Sequence, residues 1–171
     1  MARNQGIGQK PHFQKFGDWQ KVRILVANLP KEADRINHQS LMQVGLKAER
    51  LAVKHMANQD LGWKPLNKEY LAKKIAKGGS EKTLIDTSTY FQSITSGVDG
   101  RVAMAGVFRK ARHPDGRVVA DIARDHEFGV KKKNLPARPL WGPVFREVSG
   151  WIKKEKFFAR RLHDELMKKY G

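Results

Sequence analysis

The chain contains no cysteine, which excludes a disulfide framework and any thiolate metal site. It has no apolar run near the ~20 residues needed to cross a bilayer, so no membrane partner is expected. Residues Met1 to Pro11 lack the apolar stretch of a secretory signal. Acidic residues are scarce. Asp and Glu total 17 against 34 Lys and Arg, a formal net charge of +17. Such an excess favours a polyanionic partner such as nucleic acid, an acidic protein surface or an anionic membrane. No helix-turn-helix, zinc-finger or RNA-binding aromatic signature accompanies it, so sequence-specific readout is not expected.

Catalytic and cofactor motifs are also missing. His126-Glu127 begins like the zinc-binding helix of a metalloprotease, but that motif needs a second His four residues on, and position 130 is Val. The six histidines are scattered, and Gly78-Gly79-Ser80 lacks the lysine of a phosphate-binding loop. Ser88, Ser93 and Ser96 have no nucleophile-elbow context. Asp121, Asp125 and Glu127 lie beside Arg124, which can neutralise them. The expectation is no enzyme, no metal and no cofactor; a small hydrolase using the His126 region is the disfavoured reading.

What is present suits one domain with a real core: 171 residues, 40% of them hydrophobic. Residues 1–17 read as a flexible basic arm ending in Phe13 and Phe16, and residues 18–171 as a single α+β domain. Asp18 can cap a first helix, which Pro30 interrupts. Ile36, Leu41, Val44, Ala48, Leu51 and Met56 then mark a long amphipathic helix to about Asn58. Gly45 within it costs about 1 kcal/mol relative to Ala. A turn holds Trp63, and Leu66 to Ile75 form a short helix that stops at Gly78-Gly79. Asp86 or Thr87 can cap another through Phe91 and Ile94. One or two β-hairpins are expected between Gly97 and Val119, with Asp115-Gly116 at a turn centre. Val118 to Phe128 reads as a helix stopped by Gly129, with His126 on its apolar side. A single long C-terminal helix is expected over about 143–170, with Gly150 a possible bend and Lys and Arg around its apolar stripe.

The stretch from Ile122 to Leu140 is the most specific. A helix end, Asp-His-Glu-Phe-Gly, is followed by the basic loop Lys131-Lys132-Lys133 and by Leu-Pro-Ala-Arg-Pro-Leu. Pro136 and Pro139 fix φ and restrict the residues before them, so Arg138 is held in a stiff, extended segment. An Arg so placed suits an anchored contact, expected here as a bidentate pair with a carboxylate, within the fold or across subunits. Phe128, Leu135, Leu140 and Trp141 are expected to pack beneath the turn. The three lysines are candidates to face DNA or an acidic partner.

Four segments together resemble the neck and tail-completion proteins of tailed bacteriophages, the Mu-type virion morphogenesis group included. Trp63-Lys-Pro-Leu is similar to that family's Trp-x-Pro-Leu. Leu84-Ile-Asp-Thr-Ser-Thr-Tyr-Phe-Gln-Ser-Ile resembles Leu-x-Asp-Thr-Gly-x-Leu-x-x-Ser-Ile, with Ser88 and Tyr90 in place of Gly and Leu. Ile122-Ala-Arg-Asp-His-Glu-Phe-Gly resembles Ile-Ala-x-x-His-Glu-Phe-Gly, and Leu135-Pro-Ala-Arg-Pro-Leu resembles Ile-Pro-Ala-Arg-Pro-Phe. Their order agrees over about Leu41 to Trp151. The resemblance implies a small antiparallel sheet packed against long helices, and a structural virion subunit without catalysis. It implies a homo-oligomeric ring, of about six or twelve copies, around the DNA channel. The partners would be the head-side connector, the tail terminator or tail tube, and packaged double-stranded DNA touched without base readout. Arg138, Pro136, Pro139, His126, Glu127 and Phe128 would then belong to an assembly joint. A non-specific nucleic-acid-binding protein acting outside a virion is the alternative.

Overall fold

The computed structural model describes residues 17–170, so the expected arm lies, Gly17 apart, outside the described residues. Helix α1 (Trp19–Asn58) is followed by α2 (Lys68–Ala76), α3 (Thr89–Gln92), β1 (Ile94–Asp99), β2 (Val102–Val107), α4 (Val119–Phe128), α5 (Trp141–Lys154) and α6 (Phe157–Tyr170). The fold is α+β, a two-stranded antiparallel sheet against long helices. Among the described residues no helix is long and apolar enough to cross a membrane.

Asp18 caps α1, its carboxylate accepting from Lys21 N at 3.0 Å. Pro30 does not interrupt the helix: α1 runs through it as one 40-residue element. The lost bond falls on the carbonyl of exposed Val26, where water can satisfy it. The expected apolar face is the buried one, with Ile36, Ala48, Leu51 and Met56 in the core. Gly45 is buried where the hairpin crosses the helix. A Cβ there would stand 3.3 Å from both Met104 O and Ser96 Cβ, so the residue that weakens the helix lets the sheet approach it. The Ser96 hydroxyl fastens the contact by donating to Glu49 at 2.6 Å.

The paired hairpin begins at Ile94 and turns at Gly100-Arg101, with Ile94 opposite Val107 and Asp99 opposite Val102. Ile94 therefore opens a strand and does not close a helix. The Asp115-Gly116 turn forms only a small loop closed by one bridge between Arg112 and Val118. Helix α3 is a single turn after Ser88, which takes a left-handed backbone at φ 61°. Ser88 is the position at which the resembled motif carries Gly, the residue that adopts this conformation without a steric penalty.

The C-terminal region is two helices rather than one. The break is at Glu155-Lys156, where Lys156 has φ 45°, and Gly150 stays helical. The redirection buries Phe157, whose ring lies 4.5 Å from that of Trp151. Val144 and Val148 of α5 join the α1 residues in the core, while α6 runs back along α1 with Lys169 bonded to Glu32.

Candidate functional site

The four motif segments converge on one joint. Helix α4 runs to Phe128 because Val119, Ile122 and Ala123 recur on its inner face, and Gly129 ends it at φ 72°, ψ 162°. Only Gly occupies that backbone region freely. A Cβ at Gly129 would meet Ala137 N at 2.7 Å and Leu135 O at 3.0 Å. The glycine therefore lets the returning Pro-Ala-Arg-Pro segment lie directly on the helix end. Between the two, Lys131–Lys133 form one 3-10 turn, closed by Val130 pairing with Leu135.

The backbone of Arg138 is tied down, its N–H donating to His126 O at 2.6 Å. The residue is 5% exposed, and its Nε donates to Lys64 O at 3.3 Å. The expected carboxylate partner is not there: among the described residues no acidic side chain pairs with this guanidinium. A backbone carbonyl of the Trp-Lys-Pro-Leu segment takes that place. The same segment is fastened a second time, by Trp63 Nε1 donating to Pro139 O at 2.9 Å. Thus the first and last motifs hold each other across 74 and 76 residues of chain.

Glu127 does not share Arg124 with its neighbours. Arg124 reaches Asp121 and Asp125 at 3.5 and 3.7 Å. Glu127 turns the other way and caps α5. One carboxylate oxygen accepts from Leu140 N (2.7 Å) and Trp141 N (3.0 Å), and the other from Gly142 N (3.1 Å). A negative charge there also meets the positive end of the helix dipole. This role was not visible in the sequence, because α5 has no capping side chain of its own and borrows one from 13 residues upstream.

Phe128 was expected beneath the turn and is instead 77% exposed. It follows the buried Val119 by nine residues, which at 3.6 per turn puts it on the opposite face of α4. Leu140 is fully buried, and Leu135 and Trp141 are half-buried. Lys131 and Lys132 are exposed, whereas Lys133 pairs with Asp125 at 3.0 Å. Pro136 is half-buried and Pro139 exposed. The His126 ring has a buried Nδ1 without a hydrogen-bond partner. Burial pushes the imidazole pKa down to about 4, with the Arg138 charge adding to the effect, so it is neutral at pH 7.

Beside the joint lies a cavity of about 780 Å³. Its walls are α2, the segment 84–90, the loop at His113–Arg117, α4, and the Asn134–Arg138 turn. Among the described residues no cluster of His, Asp and Glu could hold a metal ion.

No protein-family model matches the chain, and no solved structure does. It is 34% identical over 104 residues to an uncharacterized protein, MJ0331, of the archaeon Methanocaldococcus jannaschii, a match that spans 60% of this chain and 72% of the relative.

Proposed function

We propose that this chain, which belongs to the family of that archaeal protein, is a structural virion protein of a tailed phage, a ring-forming neck or tail-completion subunit around the DNA channel. The observation that carries the proposal is the first third of α1. Trp19, Val22, Ile24, Val26 and Leu29 are between 38% and 63% exposed on a helix that extends past the core. A neighbouring subunit covering these side chains would gain about 1 kcal/mol from each, at about 25 cal/mol per Å² of apolar surface. The hairpin offers a second kind of contact. Its strands pair only with each other among the described residues, leaving two outer edges open to strand addition.

The charge supports the same reading. A formal +17 suits a lumen through which duplex passes, with lysines and arginines meeting phosphates. Lys131 and Lys132 are the members of the basic loop free to do so, since Lys133 is tied to Asp125. The motif segments support the family resemblance in another way. Three of the four segments bond to one another, so a motif set that builds this joint would be a signature of the fold, with no catalytic apparatus required. The virion would be assembled in the bacterial cytoplasm, next to connector and tail proteins.

Light-scattering mass measurement tests the proposal. The protein should form a closed oligomer, alone or on mixing with its neck neighbours. Val26→Glu with Leu29→Glu should yield a folded monomer that no longer assembles. A wild-type protein that stays monomeric with every neck partner, yet binds duplex DNA with a steep salt dependence, would favour the alternative of a nucleic-acid-binding protein outside a virion.

A further inference from the structure

Six lysines and arginines line the cavity beside the joint, and two of them are buried with donors not committed to protein. Arg138 and Lys74 are each 5% exposed, and both line it. Lys74 Nζ donates to Lys82 O (2.8 Å) and Ile85 O (2.6 Å), which leaves one of its three protons. The Arg138 side chain has five donors and only Nε is committed, to Lys64 O. Each is destabilised as a cation by burial, and the Arg138 charge adds to the penalty on Lys74, opposed only by Asp86. Their uncommitted N–H groups reach the solvent of the cavity, since none of them is a buried atom without a partner, and an oxyanion would replace water there.

The anion's chemistry follows from the walls. Asp86 and Asp125 line the same cavity, but Lys64, Lys68, Arg117 and Lys133 line it too, so its walls are net positive and attract an oxyanion of either charge. The guanidinium fork matches two oxygens of a carboxylate or of a phosphate. Leu66, Ile85, Val119 and Ile122 give the cavity apolar sides, and 780 Å³ is far larger than a lone ion needs. It lies within the ~300–1,000 Å³ of organic ligand sites. We propose that this cavity is a binding site for an oxyanion, a carboxylate or a phosphate, carried on an apolar body and held by Arg138 and Lys74. The oxyanion would come from an inserted acidic segment of another protein or from a free organic acid. The site does not depend on the ring reading.

Calorimetry at fixed ionic strength with benzoate as probe tests this, with benzamide as the neutral analogue and phenyl phosphate as the dianion. Benzoate and phenyl phosphate should bind saturably, and benzamide at least about tenfold more weakly than either. Arg138→Lys keeps the charge but loses the fork and should weaken benzoate about tenfold. Lys74→Met reads the same site should the first variant fail to fold, and should weaken it several-fold. Lys131→Ala, on the exposed loop, should leave it unchanged. Benzamide binding as tightly as the two anions would make this an apolar pocket only; equal loss in Lys131→Ala would also overturn the proposal. Benzoate that dissociates an assembled oligomer identifies the occupant as a neighbour's side chain; benzoate bound to an intact oligomer identifies a free acid.

Discussion

Replacing Glu127 with alanine removes the one side chain that caps α5 among the described residues. Three backbone N–H groups lose their acceptor at once, at 2.7, 3.0 and 3.1 Å in the folded protein. A single lost cap costs about 0.5–2 kcal/mol, and a hydrogen bond to a charged acceptor is worth about 1.5–3 kcal/mol. The three bonds are not additive, because water can reach the freed groups once the carboxylate is gone. We expect a loss of about 2–4 kcal/mol for Glu127→Ala. Glu127→Gln keeps one oxygen for Leu140 and Trp141 but points an amide donor at Gly142 N and discards the ion–dipole attraction. Its cost should be about 1–2 kcal/mol. Urea denaturation followed by far-UV circular dichroism measures both. For a domain of this size each kcal/mol lowers Tm by about 2–4 °C, so Glu127→Ala should melt about 4–16 °C early. An Ala variant within about 0.5 kcal/mol of wild type would refute the capping argument.

Gly129→Ala should destabilise by about 3 kcal/mol or more, since its Cβ would strike Ala137 N; Gly116→Ala, in open space at φ 86°, should cost only about 1–2 kcal/mol by the same denaturation assay. Ser88→Gly relieves a left-handed serine and should leave stability unchanged or raise it by up to about 1 kcal/mol, whereas Ser88→Val should lower it. His126 is held neutral, its folded pKa of about 4 lying below the ordinary 6.5. The stability it contributes is therefore full above about 6.5 and is lost as the pH falls toward 4; His126→Gln should flatten the stability-versus-pH curve in that window, and an unchanged curve would count against it.

Much of this architecture is legible from residue spacing, because helical faces and Gly stops are local signals. The buried face of α1 and the end of α4 at Gly129 follow from period and glycine alone. The exposed position of Phe128 was also available, by the half-turn offset from Val119. The hairpin turn carried its signal too: Asp99-Gly100 is the same dipeptide as Asp115-Gly116, and only its pairing against α1 decides between them. Other features could not be read this way. The interruption expected at Pro30 is absent and Gly150 stays within α5, while the break at Lys156 has no glycine or proline to announce it and is set by where Phe157 finds the core. The partners of Arg138 and Glu127 are backbone atoms, and backbone atoms carry no sequence label.

That last point changes how loss-of-assembly variants in this chain should be interpreted. His126-Glu127 invites a chemical reading, yet its two residues serve separate structural ends. The carbonyl of His126 holds Arg138 N, and the carboxylate of Glu127 starts α5. A substitution at Glu127 or Gly129 therefore acts on the fold first and on any oligomer only through it. Val26 and Leu29 bear no such burden: both are exposed, and neither belongs to the core cluster. The two classes should separate experimentally. Joint variants should lose Tm and assembly together, and recover assembly on cooling. Variants of the α1 extension should lose assembly at an unchanged Tm. If Val26→Glu with Leu29→Glu lowered Tm as much as Glu127→Ala does, the extension would be part of the folded core, and the neighbour-contact argument would fail.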